Sequence, residues 1–269
     1  MIMLNDCLTS DTRIVLMKPE TQKKRFSFFK DKEKKIYRKS FNHAEFVGEG
    51  LCDIRKLNCA RSFLIGEGYY KVNRVAKYGE MNPSDYQLKL GSYDFKEPGY
   101  EYFDLQSLPE DRIHYPNALS QVLDMVPSEE NRRELLEEIE EMFALDFYMA
   151  QTDRIPSNIM FQRNPSTHEI HLAPIYDFEY SLKSMFTDYT YYYDNALCSM
   201  YNEKKVREFI KEHPEFEEKL ASYLGVDLAD VIRWSYGSKG LRVPDDKYPY
   251  YQEFDKQRKE LIRTVLRTK

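Results

Sequence analysis

The period of apolar and polar positions changes near the middle of the chain. Between Thr12 and about Leu105, short apolar runs at residues 13–17, 26–29, 63–65, 69–76 and 86–90 are separated by turn residues. Runs this short, rich in β-branched and aromatic side chains, predict strands. One helical stretch interrupts them: from Asn42 to Leu57, the residues Phe46, Gly50, Ile54 and Leu57 recur at helical spacing, with Asn42 as N-cap. After Gln106 the pattern turns helical. Ser128 is placed to cap a helix whose first turn carries Glu129 and Glu130, where the helix dipole favours acids. Leu135, Ile139, Met142, Phe143, Phe147 and Ala150 then form one apolar stripe. That helix should stop within the segment 151–156, because Pro156 cannot continue it. Residues 158–161 and 169–172 flank the turn Asn164-Pro-Ser166 and predict a β-hairpin. The tail predicts helices over 203–211, 213–224, 228–234 and 250–266.

The reading is an α+β chain: a small β-rich lobe with one helix (residues 1–105), then a larger, mainly helical lobe (residues 106–269). Composition narrows the class. The chain has 269 residues, 40 basic and 45 acidic, for a formal charge of −5. That balance argues against general nucleic-acid binding, which calls for a net basic face. The local basic run around Lys23-Lys-Arg25 and Lys30 to Lys35 reads as solvated turn. No window approaches the ~18 apolar residues of a membrane span, and residues 1–10 do not have the form of a secretory signal. A cytoplasmic location is the default. Cys7, Cys52, Cys59 and Cys198 show no zinc or disulfide spacing and read as reduced structural thiols. His168 and His171 should flank and enter a strand.

Candidate chemistry concentrates between the long helix and the hairpin. The segment Gln151-Thr-Asp153-Arg-Ile-Pro-Ser-Asn158 places an aspartate and an asparagine in one loop, and the apolar run Leu172-Ala-Pro-Ile-Tyr-Asp177-Phe-Glu179 delivers a second aspartate at a strand exit. Phosphoryl transfer from ATP needs a carboxylate to orient the attacking hydroxyl and oxygen ligands for Mg²⁺. Asn158 and Asp177 offer such oxygens, and a loop Asp, a following Asn and an Asp before Phe is the order found in protein kinases.

The match becomes more specific over about 35 residues. Gln151-Thr-Asp153-Arg154, Ser157-Asn158-Ile159, Leu172-Ala-Pro-Ile-Tyr-Asp177-Phe and Ser181-Leu182 resemble the HipA-like serine/threonine kinases, whose motif reads TDRH-x-x-N, then a strand ending LAP-x-[YF]-D and a nearby Ser-Leu. Ile155 stands where that family usually has His. The resemblance implies a two-lobed protein-kinase-like fold, with Asp153 the catalytic base and Asn158 and Asp177 the Mg²⁺ ligands. For the small lobe, Lys30 ends an apolar run and Glu45 lies on the following helix, a pair suited to holding the ATP phosphates, with Lys34, Lys35 and Lys39 as the competing lysines. Arg154 is a candidate contact to phosphate or to a phosphorylated residue, or a surface ion pair. Residues 90–95 and 100–105 resemble the family's strands leading to the interlobe hinge, so backbone near Glu101 and Phe103 would meet adenine. No glycine precedes Gly48, so a phosphate-binding loop would fall near residues 8–12 without one.

HipA-like proteins often carry an additional N-terminal subdomain. This chain reads as the stand-alone core. The implied partners are a protein substrate and a cognate inhibitor or antitoxin. Ser181, Ser184, Thr187 and Thr190 sit where an activation segment runs, making them candidates for autophosphorylation. Three other functions stay open on sequence: a small-molecule or lipid kinase of the same fold, a catalytically inactive kinase fold used as a binding module, and a metal-dependent nuclease built on Asp153 and Asp177.

Overall fold

A computed structural model of the chain describes residues 15–17, 36–40, 43–67, 88–108, 117–182, 203–239, 241, 243 and 248–267. The predicted strands over 26–29 and 69–76, Lys30, the cap Asn42 and the loop 8–12 lie outside the described residues, as do Ser184, Thr187 and Thr190. The chain divides into two compact units. One comprises Met1–Ile54, Ala60–Phe95 and Leu228–Gln252; the other comprises Arg55–Cys59, Lys96–Asp227 and Glu253–Lys269.

The first unit holds a four-stranded sheet of β1 (Val15–Met17), β2 (Ile36–Ser40), β3 (Ser62–Glu67) and β4 (Leu88–Tyr93), in the order β1-β3-β4-β2. β1 runs parallel to β3, and β4 is antiparallel to both β3 and β2. The helix α1 (His43–Arg55) begins its course in this unit and buries Phe46, Val47, Leu51 and Cys52. In the same unit, Phe46 meets Tyr236 edge-on with centroids 5.8 Å apart, and Tyr236 belongs to the tail helix that we number α6 (Leu228–Ser238). Glu49 is buried on α1. Its carboxylate accepts from Lys239 Nζ at 2.9 Å and from the backbone N–H of Ser62 at 3.3 Å. A buried acid is tolerated here because a cation and a strand N–H both face it.

α1 approaches α6 closely at Gly50. A Cβ added there would overlap the hydroxyl of Ser235 and lie 3.1 Å from its Cβ. Gly50→Ala is therefore expected to lower stability by about 1–2 kcal/mol, the cost of overpacking exceeding the ~1 kcal/mol that alanine gains over glycine in a helix. Ser235→Ala in the same chain should recover most of that loss, as read by urea denaturation.

The second unit is organised around α3 (Glu129–Met149), preceded by α2 (Asn117–Met125). The predicted cap is in place: Ser128 Oγ accepts from the N–H of Asn131 at 3.1 Å. Leu135, Ile139, Met142, Phe143, Phe147 and Ala150 are all buried, as their spacing predicts. A three-stranded antiparallel sheet, β5 (Glu101–Asp104), β6 (Met160–Arg163) and β7 (Ile170–Leu172), lies in the order β5-β6-β7. Its edge strand β7 is finished by side chains of α3. Asn131 pairs with the backbone of Ile170 through both amide atoms, at 2.8 and 2.9 Å, and Glu138 accepts from the N–H of Leu172 at 2.7 Å. His171 lies in β7 with Nδ1 3.0 Å from Glu138 Oε1. These contacts satisfy the backbone groups that an edge strand otherwise leaves open.

The tail adds α4 (Glu203–Glu212) and α5 (Phe216–Ser222) to this unit, and α7 (Tyr248–Arg267) enters it from Glu253 onward. Arg258 of α7 is fully buried and donates to the carbonyls of Tyr148, at 3.2 Å, and of Phe147. It thereby caps the C-terminal end of α3, where carbonyls lack intrahelical partners. No helix among the described residues is long and apolar enough to cross a membrane.

Candidate active site

The site is built on the stop of α3. Ala150 takes a left-handed conformation, φ 52°, and its N–H returns to the carbonyls of Asp146 and Phe147. The N–H of Gln151 reaches the Asp146 carbonyl at 2.9 Å. This left-handed cap ends the helix a turn and a half before Pro156. Pro156 instead opens a 3₁₀ turn, Pro156–Asn158. The helix thus stops at Met149, just short of the expected segment 151–156, and by a left-handed cap rather than by Pro156.

Within the loop, Asp153 and Asn158 are in direct contact. Asn158 Nδ2 donates to the Asp153 carbonyl at 2.8 Å and stands 3.5 Å from the carboxylate oxygen Oδ2. Neither contact uses Oδ1, the amide atom that a hard cation takes. Gln151 links the loop to Asp177. Gln151, fully buried, donates Nε2 to the Asp177 carbonyl at 2.6 Å, and its Oε1 accepts from the Asp153 N–H at 3.1 Å. Asp177 itself has φ 64°, a left-handed conformation that Asp adopts more readily than most residues.

Arg154 occupies neither of the positions expected from sequence. It is fully buried, and its guanidinium makes a two-pronged pair with Asp146 of α3, Nε to Oδ2 at 2.8 Å and Nη2 to Oδ1 at 2.9 Å. Its remaining nitrogen, Nη1, donates to the carbonyls of Asn158 at 3.1 Å and Tyr176 at 2.7 Å. One side chain therefore fixes helix end, loop and strand exit together, and it is neither a surface pair nor a phosphate contact. Burial pulls the guanidinium down, but Asp146, with Asp177 and Tyr176 behind it, holds it above its ordinary value. Burial pushes the Asp146 carboxyl up, opposed by Arg154.

The chain beyond Asp177 is strapped to the same helix end. Phe178 is buried, with the Arg154 guanidinium 5.7 Å from its ring centre. Thr152 Oγ1 donates to the Tyr180 carbonyl at 3.2 Å, and the Leu182 N–H donates to the Met149 carbonyl at 2.8 Å. Ser181 is only 3% exposed, which removes it as an acceptor in this conformation. Leu182 is left-handed at φ 59°, a strained state for leucine, so backbone outliers gather around the candidate site.

Glu101 and Phe103 lie on β5, paired to β6, the strand that follows loop 153–158. The Glu101 side chain is exposed and accepts from Arg163 Nε at 2.7 Å, while Phe103 stacks on Phe161 with centroids 5.5 Å apart. β5 is an edge strand, so part of its backbone polar groups face away from β6. Glu45 lies in the first turn of α1, half-buried, within the first unit.

Sequence reasoning missed Gln151, Asp146 and the true role of Arg154. A signal existed: two polar residues, Gln151 and Thr152, directly follow the buried end of a long helix, and a chain that reverses there needs internal hydrogen-bonding partners. Asp146 was hidden because it lies on the buried half of α3, where a carboxylate is rarely tolerated without a partner.

No protein-family model matches the chain, and no curated protein matches it. Among solved structures, the HipA toxin of Shewanella oneidensis MR-1, determined with HipB and its operator DNA, matches with a TM-score of 0.54 at 11% identity, over 88% of this chain and 61% of HipA. The chain thus spans less than two thirds of that protein's length. The Helicobacter pylori proinflammatory kinase CtkA matches with a TM-score of 0.42 at 15% identity, over 89% of this chain and 86% of that one. With the strands and helices described above, the likeness to HipA gives this chain a HipA-like fold, the two-lobed, kinase-like α+β architecture.

Proposed function

We propose that the chain is an ATP- and Mg²⁺-dependent phosphotransferase that acts as a serine/threonine protein kinase in the cytoplasm. The observation that carries the reading is the convergence of Asp153, Asn158 and Asp177: the first two touch, and the buried amide of Gln151 ties Asp153 to Asp177. In this mechanism Asp153 orients the acceptor hydroxyl and takes its proton. Asn158 Oδ1 and the Asp177 carboxylate would hold Mg²⁺. A carboxylate plus an amide oxygen is a donor set that suits this hard ion, with waters and phosphate completing the shell. The bound ion would supply neutralisation of phosphate charge. Lys30, positioned by Glu45, is assigned to the phosphates, and backbone at Glu101 and Phe103 to adenine, within lobes bounded at residues 105 and 106. HipA forms a toxin–antitoxin system with HipB, and by that likeness a cognate inhibitor protein belongs to the reading alongside the protein substrate. Autophosphorylation is assigned to Ser184, Thr187 or Thr190, since Ser181 is buried.

Thermal unfolding with and without nucleotide tests the binding half of the proposal. Saturating ATP with Mg²⁺ should raise the midpoint by about 5 °C or more, the shift expected for ligand near 100 times its dissociation constant. EDTA should abolish most of it. No shift with any nucleoside triphosphate would contradict the reading.

A further inference from the structure

We infer that Gln151 is a positioning residue that sets the separation and orientation of Asp153 and Asp177, an inference that rests on the phosphotransfer reading above. Three features carry it. The side chain is fully buried, so its amide does not serve solvation. Both ends of that amide are engaged, one with the backbone N–H of Asp153 at 3.1 Å, the other with the backbone carbonyl of Asp177 at 2.6 Å. Both contacts are to main chain, so Gln151 leaves the two carboxylates to other work while fixing the peptide units that carry them. The glutamine amide presents a donor and an acceptor on one rigid plane without charge.

The Asp177 contact matters most because residue 177 is left-handed. Holding the Asp177 carbonyl restrains the peptide plane at that residue, and with φ 64° this fixes the direction of the Cα–Cβ bond from which the carboxylate extends. Supporting groups of this kind around metal ligands typically change metal affinity or activity 10–100-fold when removed.

The test compares wild type with Gln151→Met and Gln151→Glu. Methionine keeps the length and removes both hydrogen bonds. Glutamate keeps an acceptor for the Asp153 N–H and sets an oxygen against the Asp177 carbonyl. Two quantities are read at a temperature where each protein is folded by circular dichroism: the Mg²⁺ concentration giving half of the ATP-induced rise in thermal midpoint, and kcat for phosphate transfer. Both variants should need roughly ten times more Mg²⁺ or above and lose kcat about 10–100-fold. Variants that melt at lower temperature yet keep the wild-type Mg²⁺ half-saturation and kcat would overturn the inference and leave Gln151 a packing residue. If Gln151→Met does not fold, Gln151→Asn, which retains a buried amide one methylene shorter, decides by the same two readings. A wild type that shows no Mg²⁺·ATP response removes the phosphotransfer reading and the inference with it, whereas a responsive wild type with unaltered variants removes the inference alone.

Discussion

Replacing Arg154 with leucine is expected to destabilise the second unit by about 3–5 kcal/mol, the usual cost of leaving one member of a buried ion pair alone. The substitution abandons the fully buried Asp146 carboxylate and withdraws the donor shared by the Asn158 and Tyr176 carbonyls. Arg154→Lys should rescue little, because an ammonium cannot reproduce the two-pronged geometry to Asp146 and still reach both carbonyls. The double variant Arg154→Leu with Asp146→Leu separates charge from geometry. With no buried charge left, it should regain much of the lost stability in urea denaturation. It should regain little of the phosphotransfer, because the donor shared by the Asn158 and Tyr176 carbonyls is gone and the loop keeps only lesser ties such as Tyr176 Oη to the Ser157 carbonyl. Full recovery of both would show that the pair is only a packing device.

The second large effect concerns the two aspartates. Asp153→Ala should lower phosphate transfer by about 10²–10⁴-fold, the range of a positioned general base, while leaving Mg²⁺-dependent ATP stabilisation near wild type. Asp177→Ala should remove both, since the nucleotide then lacks one of the oxygens proposed to hold its metal. The fold should survive either change. The Asp153 and Asp177 backbone contacts to Gln151 use the main chain, and alanine keeps them. The asymmetry between the variants distinguishes a base from a ligand.

How much of this was legible beforehand follows from local physics. The apolar stripe of α3 and its Ser128 cap, the hairpin around Asn164 and the tail helices were readable because period and cap residues are local signals. β2 was not predicted: Ile-Tyr-Arg-Lys-Ser is short and polar, and it becomes a strand by pairing with β4 at the edge of its sheet. α2 carries no capping signature and only nine residues, so it was absorbed into a general helical trend. Asp153, Asn158 and Asp177 stood out as candidates because a loop Asp, a following Asn and an Asp before Phe is the order found in protein kinases. Arg154 was misplaced for a related reason: an arginine beside a candidate catalytic aspartate suggests a phosphate, and only the fold reveals that Asp146, two turns back on α3, turns it inward. Gln151 depends on a left-handed residue far along the chain, which no local pattern announces.

The central claim is that Asp153, Asn158 and Asp177 form a phosphotransfer site. Intact-protein mass spectrometry after incubation with Mg²⁺ and ATP, wild type beside Asp153→Ala and Asp177→Ala, tests it most directly. The account predicts an added phosphate on the wild type and none on either variant. A phosphate that persists on both variants, or a wild type left unmodified together with a panel of protein substrates, would contradict it.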